Sequence, residues 1–422
     1  MGRRALYLAQ MMRNEHRPPG RLAAGQERRL RAVVRHASER VLFYRRLYAD
    51  HGLDTGNFSG LKDLTSLPII DKQLLRAAGS SAESLDAAPA RVTIRTSGSS
   101  GTPFEFRIDR DYDAWRKAQY LRPYLTNGRR MTDLVLRLTA SPRASLPWFT
   151  TLGLLRETHM SCAADPAEVV ERWQRQAPDA LQGYPSSLRA LAHHCLERGI
   201  SLHPAPRRVF TDSELLTPDT RWLLQRAFGA PVIDVYGTYE TDNIAYQCER
   251  GGGYHVALDC VVLEVVRNGW PVPPGDAGEL VVTVLQNWTT PLVRYNLNDI
   301  VALDTSPCPC GRTFPLLRVI EGRASDQIQL PDGSERSALG LLVHLKELVR
   351  FLNEYQVVQT SIGGFEVRVV PSAVFDADTP RRIEQIVLAD LPGSHVRVVT
   401  VPAIARAPSG KFQAFLALAR DP

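Results

Sequence analysis

Apolar residues recur three and four positions apart between 26 and 51, at Leu30, Val33, Val34, Ala37, Val41, Leu42 and Leu47, with arginines between them. That spacing predicts one long amphipathic helix with a solvated arginine face. Helical spacing returns over 111–125, where Trp115, Tyr120 and Tyr124 are carried, and over 166–176 and 185–198. Between these stretches lie short alternating or β-branched runs, read as strands, at 91–95, 104–108, 208–210 and 231–235. Residues 180–187 read as strand, turn and helix. From 254 to 304 the pattern becomes almost wholly alternating, with turn signals such as Pro273-Pro274-Gly275-Asp276. It predicts a β-rich part, a distorted barrel or a sheet. The last hundred residues read as helix 339–353, strand 365–370, helix 380–391 and strand 396–401. The expected class is therefore α/β: a large N-terminal domain of α/β sheets plus a barrel-like part, followed by a small α+β domain.

A chain of 422 residues is longer than one ordinary domain, which agrees with that division. Hydrophobic residues make up 44% and charged residues 23%, ordinary values for a globular enzyme, and the net charge of +6 suits anionic small substrates. No basic stripe interleaved with aromatics points to nucleic acid. Six cysteines in so long a chain are not a disulfide framework. The pattern contains no apolar run of membrane-spanning length and no signal-peptide core, so a cytoplasmic enzyme without a membrane span is expected.

Between the first two predicted strands stands Thr96-Ser97-Gly98-Ser99-Ser100-Gly101-Thr102-Pro103. Glycines let backbone N–H groups converge on one point and hydroxyls add donors there, which is what a polyphosphate needs. It is not a Walker loop, because no Gly-Lys-Ser/Thr opens a helix after it, and its glycines do not have dinucleotide spacing. A second candidate is Tyr236-Gly237-Thr238-Tyr239-Glu240, at the end of the predicted strand 231–235, where open α/β sheets commonly place their ligand groups. A third is the paired-thiol turn Cys308-Pro309-Cys310-Gly311. Two soft ligands at a turn favour zinc, which needs two more. Cys248 and His255 flank a three-glycine turn and are the first choice, with Cys260 in reserve for His255.

Taken in order, these segments resemble the adenylate-forming superfamily, in its phenylacetate–CoA ligase-like and capsule-biosynthesis-like branch. The hydroxyl- and glycine-rich loop resembles that family's phosphate loop. The stretch 35–46 resembles its N-terminal helix, and Leu67-Pro68-Ile69-Ile70-Asp71-Lys72 its linker into the core, with Asp71 expected to cap the next helix. Gly183-Tyr184-Pro185-Ser186 resembles a segment near the acyl pocket. Pro291-Leu292-Val293-Arg294-Tyr295-Asn296-Leu297-Asn298-Asp299 resembles a ribose-binding motif, with Leu297 and Asn298 in place of the usual Thr-Gly. Gly322-Arg323-Ala324-Ser325-Asp326 resembles the interdomain hinge, with Ser325 where an aspartate is usual, and Ser409-Gly410-Lys411 the terminal motif. The resemblance spans about residues 35–411.

It implies a large domain 1–322, a hinge at 323–326 that includes Ser325 and Asp326, and a small mobile domain 327–422. It implies ATP-dependent activation of a carboxylic acid to an acyl-adenylate, then transfer to coenzyme A; the alternatives are an amine or a carrier-protein thiol as acceptor, or a non-catalytic nucleotide or acyl-adenylate binder. On this resemblance Lys411, Glu240 and Arg323 are the catalytic residues, with Glu240 on magnesium. Residues 96–102, Ser213, Glu214, Tyr236, Gly237, Thr238, Asp299 and Arg323 hold ATP. Tyr184, Pro185, Tyr236 and Tyr239 line the acyl pocket. The resemblance also includes a similar Cys/His zinc set, and leaves room for a homodimer.

Overall fold

The computed structural model describes residues 2–86, 91–95, 105–140, 151–250, 252–323, 327–345, 348, 351–406 and 412–418. The chain divides into two compact units, Met1–Arg129 with Ile233–Ile320, and Arg130–Val232 with Glu321–Pro422.

In the first unit the predicted amphipathic stretch is broken. Helix Pro19–Arg40 buries Leu30, Val33, Val34 and Ala37, and a second helix runs Leu42–Asp50. Val41 between them is extended, with φ −121°, and makes an isolated antiparallel bridge to Ser84. A β-branched residue is at ease in that conformation, so the apolar spacing continues while the helix does not. Asp71 caps helix Lys72–Ala78 as expected, its side chain accepting from the Leu74 amide. Strands Arg91–Arg95 and Glu105–Asp109 pair antiparallel, Arg95 opposite Glu105. Asp109 then caps helix Arg110–Leu125.

The β-rich region forms an ordered run of strands. Their spatial order is Trp270–Pro271, Val261–Arg267, Ala277–Val284, Tyr295–Asp304, Leu316–Arg323, Tyr254–Val256, Asp242–Tyr246 and Val232–Thr238. One face packs on the core that includes Leu30, Val34, Tyr44, Val261, Leu280 and Val293.

The second unit begins with four parallel strands in the order Arg208–Asp212, Ala180–Gly183, Leu134–Thr139, Arg156–Ser161. Helices Pro166–Gln176, Pro185–Glu197 and Pro218–Phe228 each start on a proline, whose fixed φ and missing N–H suit a first helical position. They bury Trp173, Leu188 and Leu224 in one apolar cluster with Leu136, Leu181 and Val209 of the strands. The C-terminal part adds a sheet ordered His395–Thr400, Gly364–Pro371, Leu352–Ser361, Phe415–Leu416, with helix Thr379–Asp390 closing its own core. Here the helix expected over 339–353 is only Leu339–His344, and by Leu352 the chain is a strand. Residues 352–361 pair along their length with Gly364–Pro371, and that hairpin ladder overrides the helical spacing.

Candidate functional site

In the first unit, strand Val232–Thr238 carries Tyr236, Gly237 and Thr238 to a hairpin turn, and Tyr239 and Glu240 form that turn before Asp242–Tyr246 returns. A bulge lies between Tyr236 and Gly237. Gly237 is required there: a Cβ on it would stand 2.0 Å from the backbone oxygen of Asp242. Asp242 itself has φ +59° and is held from the side chain, its carboxylate accepting from Arg116 Nε at 2.7 Å. Arg116 also donates to the Tyr239 carbonyl at 3.2 Å. Arg116 and Asp242 thus set the turn's shape, and neither was singled out from sequence.

Glu240 is 7% exposed and lies 3.3 Å from the Lys72 ammonium. A buried carboxylate needs a cation, and Lys72, the first residue of the helix capped by Asp71, contributes one. The linker motif contained Lys72, but nothing local in it points to Glu240, 168 positions on.

The Tyr236 hydroxyl donates a short hydrogen bond to Asp299 Oδ2, bringing two of the expected nucleotide residues together. Asn298, where the family pattern has glycine, has φ +57°, and its amide donates to Asn296 Oδ1 at 2.8 Å. Asparagine is among the few side-chain-bearing residues that take this conformation readily, so the substitution keeps the left-handed turn before Asp299. Arg294, in the same motif, is buried and forks onto Glu264 at 2.9 and 3.1 Å. Burial raises the Glu264 pKa, and the Arg294 guanidinium opposes that rise.

The same unit assembles the four soft ligands. Cys248, His255, Cys308 and Cys310 present ligand atoms all within 4.8 Å of one another. Cys248 Sγ and Cys308 Sγ are 3.6 Å apart, and Cys310 Sγ and His255 Nε2 are 3.3 Å apart. His255 Nδ1 faces the Phe314 carbonyl at 3.4 Å, which leaves Nε2 toward the thiols. Burial, then the Arg312 charge, lowers the His255 pKa to about 4 and keeps the ring neutral. Cys260 is elsewhere, buried against Asp259 and Arg122, so His255 and not Cys260 completes the cluster.

Arg312 backs the cluster. Its Nη1 points at Cys310 Sγ at 3.7 Å, its Nε donates to Glu15 at 2.6 Å and its Nη2 to the Thr126 carbonyl at 2.7 Å. Glu15, 1% exposed, also accepts from the Tyr246 hydroxyl at 2.5 Å. The Thr313 amide donates to the Glu15 carbonyl at 2.8 Å, so the thiol loop is stitched to the turn after helix Gly2–Asn14.

In the second unit, buried Tyr184 precedes helix Pro185–Glu197, and Pro185 is that helix's first residue. Ser213 is exposed with φ +71°, its hydroxyl donating to Asp212 Oδ1 at 2.8 Å. Glu214 accepts from the Ser186 amide at 3.0 Å, the Ser186 hydroxyl at 3.1 Å and the Phe412 amide at 2.6 Å. Its desolvated position raises its pKa, and these three donors pull the other way. Arg323 ends strand Leu316–Arg323. The residues expected at 96–102, Ser325, Asp326 and Lys411 lie outside the described residues. No described helix is long and apolar enough to cross a membrane.

No family model matches the chain. Among curated proteins it is similar to the phenylacetate-coenzyme A ligase of Thermus thermophilus, 28% identical over 329 residues, covering 74% of this chain and 72% of that protein. It is also similar to protein CapK of Staphylococcus aureus, 25% identical over 311 residues, covering 70% of this chain and 66% of that one. Among solved structures, 2-hydroxyisobutyryl-CoA ligase in its postadenylation state superposes with a TM-score of 0.79 at 24% identity, over 96% of this chain and 91% of that one. The chain is thus similar to proteins of the kind its motifs resemble, and its fold is that of 2-hydroxyisobutyryl-CoA ligase.

Proposed function

We propose that this chain is an AMP-forming carboxylate–CoA ligase of the cytoplasm. In the first half-reaction a substrate carboxylate oxygen attacks the α-phosphorus of ATP, pyrophosphate leaves, and an acyl-adenylate remains. In the second, the coenzyme A thiol gives up its proton and attacks the acyl carbonyl. AMP leaves and a thioester forms. Such chemistry depends chiefly on positioning and on offsetting charge. The observation that carries the reading is the Tyr236–Asp299 hydrogen bond, which joins two motif residues 63 positions apart where the family pattern puts base and ribose.

In this reading residues 96–102 cradle the β- and γ-phosphates, and Asp299 and Arg323 hold the ribose side. Thr238 and Ser213 edge the nucleotide, and Tyr184, Pro185, Tyr236 and Tyr239 line the acyl pocket. Lys411 offsets charge between the carboxylate and the α-phosphate, carried there by a small domain that turns about 323–326. Glu240 suits magnesium, a hard cation held through one or two carboxylates plus phosphate oxygens, and Lys72 neutralises the carboxylate alongside it. When bound, that ion would neutralise charge on the phosphate oxygens.

Cys248, His255, Cys308 and Cys310 suit one structural zinc. Ligands about 2.0–2.3 Å from a tetrahedral ion stand roughly 3.5–3.8 Å apart; the two closest pairs here are at 3.6 and 3.3 Å. Zinc there would close the loop against Glu15 and Arg312 and take no part in the reaction.

The test is pyrophosphate release over a panel of carboxylic acids, with and without coenzyme A, in the parent and in Glu240→Gln. The expected result is acid-dependent release that needs ATP and magnesium, thioester only when coenzyme A is present, and release about 100-fold slower in the variant. Release from Glu240→Gln within about twofold of the parent would overturn the assignment of Glu240.

A further inference from the structure

The Glu214 carboxylate is held by three donors from two distant parts of one unit. Two come from Ser186, at the start of helix Pro185–Glu197, directly after Tyr184 and Pro185. The third is the backbone amide of Phe412, 198 residues further along the chain. The tail that bears Phe412 is fixed on its other side as well. The Gln413 carbonyl accepts from Gln356 Nε2 at 2.8 Å, and the Ala414 carbonyl accepts from the Val357 amide at 2.9 Å. Phe415 and Leu416 then join strand Leu352–Ser361 in parallel register. The Phe412 ring lies 4.8 Å under the Arg406 guanidinium, which is itself paired with Glu354. The tail therefore belongs to the C-terminal sheet, and the Phe412 amide is where it reaches Glu214 on the α/β part.

We propose that Glu214, which the resemblance places among the ATP-holding residues, is instead a positioning residue for the first half-reaction: it clasps the Phe412 amide and so sets the place of the C-terminal tail, then lets go for the second half-reaction. This rests on the reading of Lys411 given above. Lys411 precedes Phe412 in the chain, so whatever fixes the Phe412 backbone limits where the lysine can be.

Three features suit a clasp. The donor is a backbone N–H, so the contact can be made and broken without any side chain on the tail changing place. The acceptor is charged, which strengthens a hydrogen bond to it. Glu214 keeps both Ser186 donors when Phe412 leaves, so the half-buried carboxylate is never stripped of all partners. The bonds to Ser186 also tie the clasp to the helix that follows Tyr184 and Pro185, the residues assigned to the acyl pocket. The two half-reactions make opposite demands on such a contact. Adenylation needs the tail in place. Thioester formation needs it withdrawn if the small domain turns.

The experiment measures each half-reaction separately, pyrophosphate release at saturating ATP and thioester formation from supplied acyl-adenylate, in Glu214→Ala, Lys411→Ala and the double variant. Losing a hydrogen bond to a charged group should lower the adenylation kcat by roughly 10- to 100-fold in Glu214→Ala. The KM for ATP should be unchanged, and thioester formation should stay within about threefold of the parent. If Glu214 acts through Lys411, the double variant should be no slower than Lys411→Ala alone.

Phe412→Pro removes the same N–H without touching Glu214 and serves where Glu214→Ala does not fold. It should slow adenylation alone. Equal loss in both half-reactions, a raised KM for ATP with kcat intact, additive losses in the double variant, or a parental adenylation rate in Phe412→Pro would each overturn the proposal. Failure of the underlying reading looks different: Lys411→Ala would then adenylate at the parental rate whatever Glu214 does.

Discussion

The thiol cluster of the first unit and the Glu214 contact of the second both join stretches of chain far apart in sequence, but they are built in opposite ways. Around Cys308 the thiol loop is held by several buried side chains together with backbone bonds. Arg312 alone reaches a thiol, a carboxylate and a carbonyl, and Glu15 has both Arg312 and Tyr246. At Glu214 the contact with the tail is, among the described residues, one backbone N–H. The first arrangement is costly to open at any point, because each removal strands a buried polar group. The second loses one hydrogen bond and leaves its carboxylate served by Ser186. A permanent anchor and a reversible contact can therefore be told apart by how many buried partners would be orphaned on opening.

The largest effect that would break this contrast is loss of the cluster itself. Cys308→Ser should lower zinc from about one per chain to near none and destabilise the first unit by several kcal/mol, read by metal analysis and thermal unfolding. Metal-free protein of parental stability would make the four residues ordinary buried side chains and the anchor an illusion.

A smaller change tests the shell behind the cluster. Arg312→Ala leaves Glu15 buried with only the Tyr246 hydroxyl, and should cost about 3–5 kcal/mol in denaturant unfolding. Amide exchange in helix Gly2–Asn14 should rise in the same variant, because the thiol loop is bonded to the turn after that helix. Unchanged exchange there would uncouple the anchor from the N-terminal helix.

The smallest concerns pH and the helix Pro185–Glu197 that carries Ser186. His193 is half-buried, its Nε2 has no hydrogen-bond partner among the described residues, and burial with nearby Arg189 lowers its pKa to about 4. Above the unfolded value of about 6.5 neither state is protonated and nothing is lost. Below it the unfolded chain takes up a proton that the folded chain refuses until about pH 4. Stability should therefore fall across that window by about 1–2 kcal/mol, allowing for solvent screening. His193→Gln should flatten that part of the profile. An identical slope in the variant would place the pH sensitivity elsewhere.

What the sequence determined by itself was local. Alternation and helical spacing placed most elements because burial on one face leaves a periodic trace. Pro166 and Pro185 marked helix starts, Asp71 a cap and Cys308-Pro309-Cys310 a ligand turn, each through chemistry confined to a few neighbouring residues. Tyr236, Glu240, Asp299 and the four zinc candidates were legible as motifs; that Tyr236 meets Asp299, and that His255 and not Cys260 joins the thiols, was not. The tertiary structure alone decided those pairings, together with Lys72 beside Glu240, Arg116 under the Tyr239 turn, Arg312 on Glu15 and Phe412 on Glu214. The separations run from 55 positions for His255 and Cys310 and 63 for Tyr236 and Asp299 to 297 for Glu15 and Arg312. A contact across such a separation leaves no period in the sequence. It also decided the break at Val41 and the short helix after Leu339, where a bridge to Ser84 and a ladder with Gly364–Pro371 outweighed helical spacing. Local preference is worth tenths of a kcal/mol per residue, and pairing with a partner strand exceeds it.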